Sequence, residues 1–118
     1  MAWSIEATDE FQAWFVALTA AEQLSIAAKV DILEERGPAL GRPNVDTLKD
    51  SKVPNLKELR VQHAGKPYRI LFVFDPRQTG ILLIGGRKGP KNWYRQMIQR
   101  AEKIYESYLD EIRKEGSI

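Results

Sequence analysis

Along this chain the spacing of apolar positions changes several times, and each change marks an element. Trp3-Ser4-Ile5-Glu6-Ala7 alternates apolar and polar, as a short half-buried strand does. Thr8 then stands where a helix N-cap belongs, and Asp9 and Glu10 bring the negative charge that suits a helix start. Phe11, Trp14, Phe15 and Leu18 recur at i, i+3, i+4 and i+7, which is one apolar stripe. Thr19-Ala20-Ala21-Glu22 has the capping-box spacing and opens a second helix. That helix carries Ile26, Val30 and Leu33 on one face and stops at Gly37-Pro38, so the two helices read as a hairpin.

Residues 37–55 hold two glycines and three prolines and read as a connecting loop. Three strands follow, at about 56–63, 67–75 and 80–85, with turn residues at Ala64-Gly65-Lys66-Pro67 and from Asp75 to Gly80. The second and third of these are apolar on consecutive positions, which predicts central strands covered on both faces. From about Asn92 a last helix carries Met97, Ala101, Ile104, Tyr105, Tyr108 and Ile112 at helical spacing. The expected fold is therefore α+β: a small, mainly antiparallel sheet in β-α-α-β-β-β-α order, with the helices packed on one face. At 118 residues the chain reads as one domain, 1–118.

Composition narrows the chemistry. Hydrophobic residues make up 43% and charged residues 29%, which fits a globular chain and not a disordered one. With no cysteine and one histidine, His63, disulfides, thiolate metal sites and histidine-based zinc sites are excluded, and no cofactor is expected. The acidic MAWSIEATDEF start is unlike a signal peptide, and no apolar run reaches membrane-spanning length. A cytoplasmic protein without a membrane partner is the expectation.

Charge is unevenly placed. Residues 1–41 hold two cations and seven carboxylates; residues 42–100 hold thirteen cations and four carboxylates. So basic a middle segment gathers polyanions. Its densest stretch is GGRKGPKNWYRQ, residues 85–96, where Arg87, Lys88, Lys91 and Arg95 flank Trp93-Tyr94. Cations beside flat rings suit a nucleic acid, whereas the glycines there serve a close-approaching ligand or a tight turn equally well. On the strands, alternation puts Lys57 with Leu59, Val61 and His63, and puts Glu58 with Arg60 on the other face. Arg69 shares its face with Leu71, Val73 and Asp75, which otherwise reads as core. A charge placed there must be paired, with Glu58 or Asp75, or must open onto a cleft. Tyr94, close to several cations, is expected to have a lowered pKa. His63 has a suitable unperturbed pKa for acid–base work but falls near a turn, so its role stays open. No P-loop, metal-binding carboxylate cluster or Ser-His-Asp set is recognisable.

Asn55-Leu56-Lys57-Glu58-Leu59-Arg60, Gly65-Lys66-Pro67-Tyr68-Arg69-Ile70 and Ile81-Leu82-Leu83-Ile84-Gly85-Gly86-Arg87-Lys88 together resemble the HigB-like, phage-derived branch of the RelE/ParE superfamily of toxins. The likeness covers nearly the whole chain and is best from about residue 47 to 109. It implies a RelE-like fold and the toxin half of a type II toxin–antitoxin pair. The implied activity is a metal-independent endoribonuclease that cleaves mRNA, usually on the ribosome. The implied partner is an antitoxin with a helix-turn-helix domain, through which alone the toxin meets DNA. Carried over residue by residue, the catalytic positions are Arg60, Arg69, Lys88 and Tyr94. Arg87, Lys91, Trp93, Lys57 and Arg95 are the RNA-binding candidates. Arg87 departs from the branch, which often has an acidic residue there, and Gly89-Pro90 stiffens the loop.

Two further readings use the same residues: a non-enzymatic toxin of this fold that inhibits a protein such as gyrase, and a phage nucleic-acid-binding protein without catalysis. Arginines converging from neighbouring strands favour the nuclease, whereas cations spread along an outer helix favour simple binding.

Overall fold

Two threonines set where the first helices begin. In the computed structural model, which describes residues 2–118, strand β1 (Ile5–Ala7) runs into Thr8, whose hydroxyl accepts from the Phe11 N–H at 3.1 Å and starts helix α1 (Asp9–Val16). Thr19 starts helix α2 (Ala20–Arg36) with a closed capping box: Thr19 Oγ1 accepts from the Glu22 N–H, and Glu22 Oε1 accepts from the Thr19 N–H. Gly37, at φ 59°, ends α2 in a left-handed conformation that favours glycine, and the Trp3 indole fills the space a side chain would need.

Strands β2 (Val45–Thr47), β3 (Lys57–His63), β4 (Lys66–Phe74) and β5 (Gly80–Arg87) follow, then helix α3 (Trp93–Lys114). They form a five-stranded sheet in the order β1-β5-β4-β3-β2, antiparallel except where β1 runs parallel to β5. The fold is the expected α+β class with a mainly antiparallel sheet. Two expectations need correction. Residues 37–55 are not all loop, because Val45–Thr47 adds a fifth, edge strand against β3. The helices also do not share one face: α1 and α2 pack over Leu59, Val61, Ile70, Phe72 and Leu82, while α3 packs over Leu71, Val73, Ile81, Leu83 and Ile84. Core strands that are apolar on consecutive positions require this, since one helical layer leaves half of their side chains in water. Among the described residues no helix is long and apolar enough to cross a membrane.

A bulge in β5 decides which way its last residues face. Leu71 pairs with Ile84 and Phe72 with Leu82, so Leu83 has no partner on β4. Leu83 and Ile84 consequently both lie in the cluster under α3. Thr8 ties into this irregularity, donating to the Leu83 carbonyl at 2.6 Å. Beyond the bulge the alternation is inverted: Gly85 backs onto Trp14 of α1, and Gly86 onto Trp93 and Met97 of α3. Neither glycine, nor Gly89 under Trp93, has a positive φ; their missing side chains make room for indoles.

A Cβ at Gly85 would lie 2.2 Å from the Trp14 ring, and one at Gly86 would have its nearest neighbour at 3.1 Å. Gly85→Ala is expected to lower the unfolding free energy by about 1–3 kcal/mol, the usual cost of overpacking, and Gly86→Ala by less. Urea midpoints at unchanged m-value measure both.

Candidate active site

The β3–β4 register sets Arg60 directly opposite Arg69. Like charges across a strand pair repel, so the pair needs an anion on the same face. Glu58, two residues before Arg60 on β3, supplies it. Its side chain is only 4% exposed and uses both oxygens. Oε2 accepts from Arg60 Nε and Nη2 at 3.3 and 3.2 Å. Oε1 lies 3.3 Å from Arg69 Nε and accepts from the Tyr94 hydroxyl at 2.5 Å. Arg69 Nε in turn donates to Tyr94 Oη at 3.2 Å, and its Nη1 donates to the Tyr68 carbonyl. Asp46 of β2, opposite Glu58, extends the set by binding Arg60 and Arg42 at 3.2 and 3.0 Å. The open choice at Arg69 thus resolves to Glu58. Asp75, at the far end of β4, binds Arg77 instead, at 2.7 Å.

Burial, with Glu58 second, reverses the expectation for Tyr94. The Tyr94 pKa lies above its ordinary value, chiefly because the ring is desolvated by burial and next because its hydroxyl bonds the Glu58 carboxylate. Arg69 pulls the other way and does not prevail. Tyr94 is therefore a protonated hydroxyl at neutral pH, suited to giving a proton.

The structure joins Arg69 to Tyr94 directly, links Arg60 to both through Glu58, and sets Lys88 beside them, with its Nζ 5.8 Å from the centre of the Tyr94 ring. Two clefts flank this set. One, of about 280 Å³, runs past Arg60 and Arg69 to Asn44 and Lys29 of α2. The other, of about 450 Å³, lies between Asp50 and Lys52 on one side and Tyr94, Lys91 and Arg95 on the other. Among the described residues Arg87, Lys88, Lys91 and Arg95 have no carboxylate partner, whereas Asp46, Glu58 and Asp75 are all taken up by arginines.

Other candidates lie elsewhere. Arg87 pairs across from Tyr68 on the α1–α2 side of the sheet, because the bulge turns it away from Arg69. Lys57 stands across from Phe72, on that same far side. Trp93 is half-buried, edge-on to Tyr94 at 5.0 Å and packed on Gly86 and Gly89, so it supports Tyr94 from the core side. His63 is also on the α2 side, with Nδ1 2.7 Å from Ser25 Oγ. It sits near Glu22, whose pKa is lowered to about 2, first by the hydrogen bond from Tyr68 and then by those from Thr19. Sequence reasoning treated Glu58 only as an ion-pair partner and passed over Asp46 and Lys52. The signal for Glu58 was present in its spacing of two from Arg60.

Residues 13–106 match the family model described as phage-derived Gp49-like protein (DUF891). The candidate toxin HigB3 of Mycobacterium tuberculosis is 44% identical over 102 residues, covering 85% of this chain and 88% of that protein. HigB2 of the same organism, also a candidate toxin, is 38% identical over 104 residues, covering 86% of this chain and 52% of its own, so the chain spans about half its length. Among solved structures, an arginine-substituted variant of the Escherichia coli toxin RelE in the free state superposes with a TM-score of 0.61. That match covers 87% of this chain and 97% of RelE at 13% identity, a likeness of fold.

Removing Arg69, whose side chain is 12% exposed, leaves a buried carboxylate short of a partner. Arg69→Ala is expected to lower the unfolding free energy by about 3 kcal/mol, the low end for breaking a buried pair, because Arg60 and Tyr94 still hold Glu58. Arg60→Ala, at a side chain 37% exposed, is expected to lower it by about 1 kcal/mol. Urea unfolding of the two variants gives the comparison.

Proposed function

The chain belongs to the phage-derived Gp49-like family and is a HigB-type toxin of the RelE superfamily, and we propose that it is an endoribonuclease that cuts mRNA and so stops translation. Residues 1–118 act as one toxin domain in the cytoplasm, without metal or cofactor. A cognate antitoxin holds it inactive, and the ribosome presents its substrate.

The observation that carries the reading is the gathering of Arg60, Arg69 and Tyr94 on Glu58 between two clefts, the larger holding Lys91 and Arg95, which have no carboxylate partner among the described residues. Ribonucleic acid contains its own nucleophile, so the protein need only orient the strand, stabilise charge and supply a proton. The 2′-oxygen attacks phosphorus and releases its proton to water, the bond to the 5′-oxygen breaks, and a 2′,3′-cyclic phosphate and a 5′-hydroxyl result. Arg60 and Arg69 stabilise the charge that builds on the phosphate oxygens, and Lys88 adds to the field. Tyr94, held in its protonated form, gives its proton to the departing 5′-oxygen. Lys91 and Arg95, in the larger cleft, hold the neighbouring phosphates. Arg87, Lys57 and Trp93 have no part in this arrangement of contacts.

Brief induction without antitoxin is expected to arrest translation before replication and to create new mRNA ends, read by end mapping. Replication failing first, with mRNA intact, would replace this reading with the gyrase-inhibiting one. Tyr94→Phe keeps the ring and is expected to lower the cleavage rate about 10²–10⁴-fold, the range for a lost acid–base group, with the fold retained by circular dichroism. At high toxin concentration, the slower cleavage of free purified RNA is expected to persist in excess chelator. Loss in chelator with recovery on adding magnesium would count against metal independence.

A further inference from the structure

We propose that Glu58 is a positioning residue of this site, its carboxylate setting the spacing of Arg60 and Arg69 and the orientation of the Tyr94 hydroxyl. The proposal rests on the nuclease reading for its kinetic consequences, although the geometry stands without it.

Arg60 and Arg69 are cross-strand neighbours, and with no anion between them each would swing toward solvent. Glu58 sits below them, 3% exposed, and spends one oxygen on each arginine. A buried anion so shared is a poor competitor for further ligands but a good template. It fixes two guanidinium groups from beneath while the Arg60 side chain keeps 37% of its surface open for a phosphate. Tyr94 is held by the same oxygen that holds Arg69, so the acid and the charge-stabilising donor share one anchor. Because Tyr94 Oη accepts from Arg69 Nε, its own proton rests on Glu58 Oε1, 2.5 Å away, and turns from there to a leaving oxygen once RNA is bound. The anchor therefore settles where the hydroxyl stands.

The charged groups facing Tyr94 are Glu58 from β3, Arg69 from β4, Lys88 beyond β5, Lys91 just before α3, Arg95 and Glu102 on α3, and Asp50 and Lys52 across the larger cleft. Of the groups that bond the hydroxyl, Glu58 disfavours the phenolate and Arg69 favours it. Burial raises the Tyr94 pKa most, and Glu58 adds to it. Glu58→Gln keeps the shape and removes the second contribution, so Tyr94 then ionises at lower pH. A residue that merely held the sheet together would not move that titration.

The experiment compares wild type, Glu58→Gln, Glu58→Asp and Tyr94→Phe. Tyrosinate ultraviolet absorbance is followed against pH, with Tyr94→Phe as the difference reference, and steady-state cleavage of an mRNA bound to purified ribosomes is measured alongside. For Glu58→Gln the expected results are a Tyr94 titration moved to lower pH, an alkaline limb of kcat moved with it, and kcat lowered about 10²-fold at unchanged KM, as loss of alignment alone can cost. An unmoved titration or a wild-type kcat overturns the proposal. Should Glu58→Gln fail to melt cooperatively, Glu58→Asp decides. It keeps the charge on a shorter stem and is expected to lose kcat while the Tyr94 titration stays elevated, and wild-type kcat in it overturns the proposal. Absence of cleavage by wild type would sink the nuclease reading instead, and the absorbance titration would still test the hold of Glu58 on Tyr94.

Discussion

Two arginines face one another across adjacent antiparallel strands, and that arrangement cannot stand without a carboxylate between them. Much of the molecule around β3 and β4 follows from supplying it. Glu58 has to lie on the α3 side of the sheet, which commits β3 to present Leu59 and Val61 to the α1–α2 side. It has to be screened from water, which the first turn of α3 does by laying Tyr94 over it. Asp46 then has to stand beside Glu58 without another carboxylate raising the cost, and Arg42 and Arg60 make that possible. The Asp46 pKa is accordingly lowered, first by the hydrogen bond from Arg42 and against the opposing effect of burial. Carboxylates and arginines from three strands thus interlock, and Arg42 and Arg60 are the parts of this pattern most open to solvent.

The second organising feature is the single unpaired residue in β5. Strict alternation from Ile81 would point Arg87 toward Arg69 and Tyr94. The bulge at Leu83 inverts the order, sends Arg87 to the Tyr68 side, and brings the smallest residues, Gly85 and Gly86, against the two indoles Trp14 and Trp93. Sheet irregularity and helix packing are thus one arrangement: α1 and α3 both approach the end of β5 closely because neither meets a side chain there.

Most of the fold was legible in local signals. Thr8 and the Thr19–Glu22 box mark their helix starts to the residue, and the consecutive apolar positions of β4 and β5 mark central strands. What escaped was non-local. Val45–Thr47 is three residues long in a stretch rich in glycine and proline, and only its partner β3 makes it a strand. The split of helices between faces follows from which apolar faces need cover, and the first expectation set that aside. At the site, period alone put Arg60 with Glu58 and Arg69 on an otherwise apolar face, and only the strand register set the two arginines opposite each other. The displacement of Arg87 needed the bulge, which no residue type announces. The direction of the Tyr94 shift needed the knowledge that α3 buries the ring and that Glu58, as well as Arg69, bonds its hydroxyl.

The parallel pairing of β1 with β5 has a consequence in time. Thr8 and Leu83, joined by a hydrogen bond, are 75 residues apart in sequence, so closing this edge carries a large loop entropy and belongs to the slow, non-local class of folding steps. On a ribosome making the chain from its N-terminus, β1 and the helical hairpin emerge well before the strand that completes their sheet. The strand arginines likewise emerge before Tyr94, and α3 must dock before Glu58 is covered. The assembled Glu58 cluster is therefore a property of the finished molecule, and each copy passes through an interval after its arginines are made and before they are locked in place.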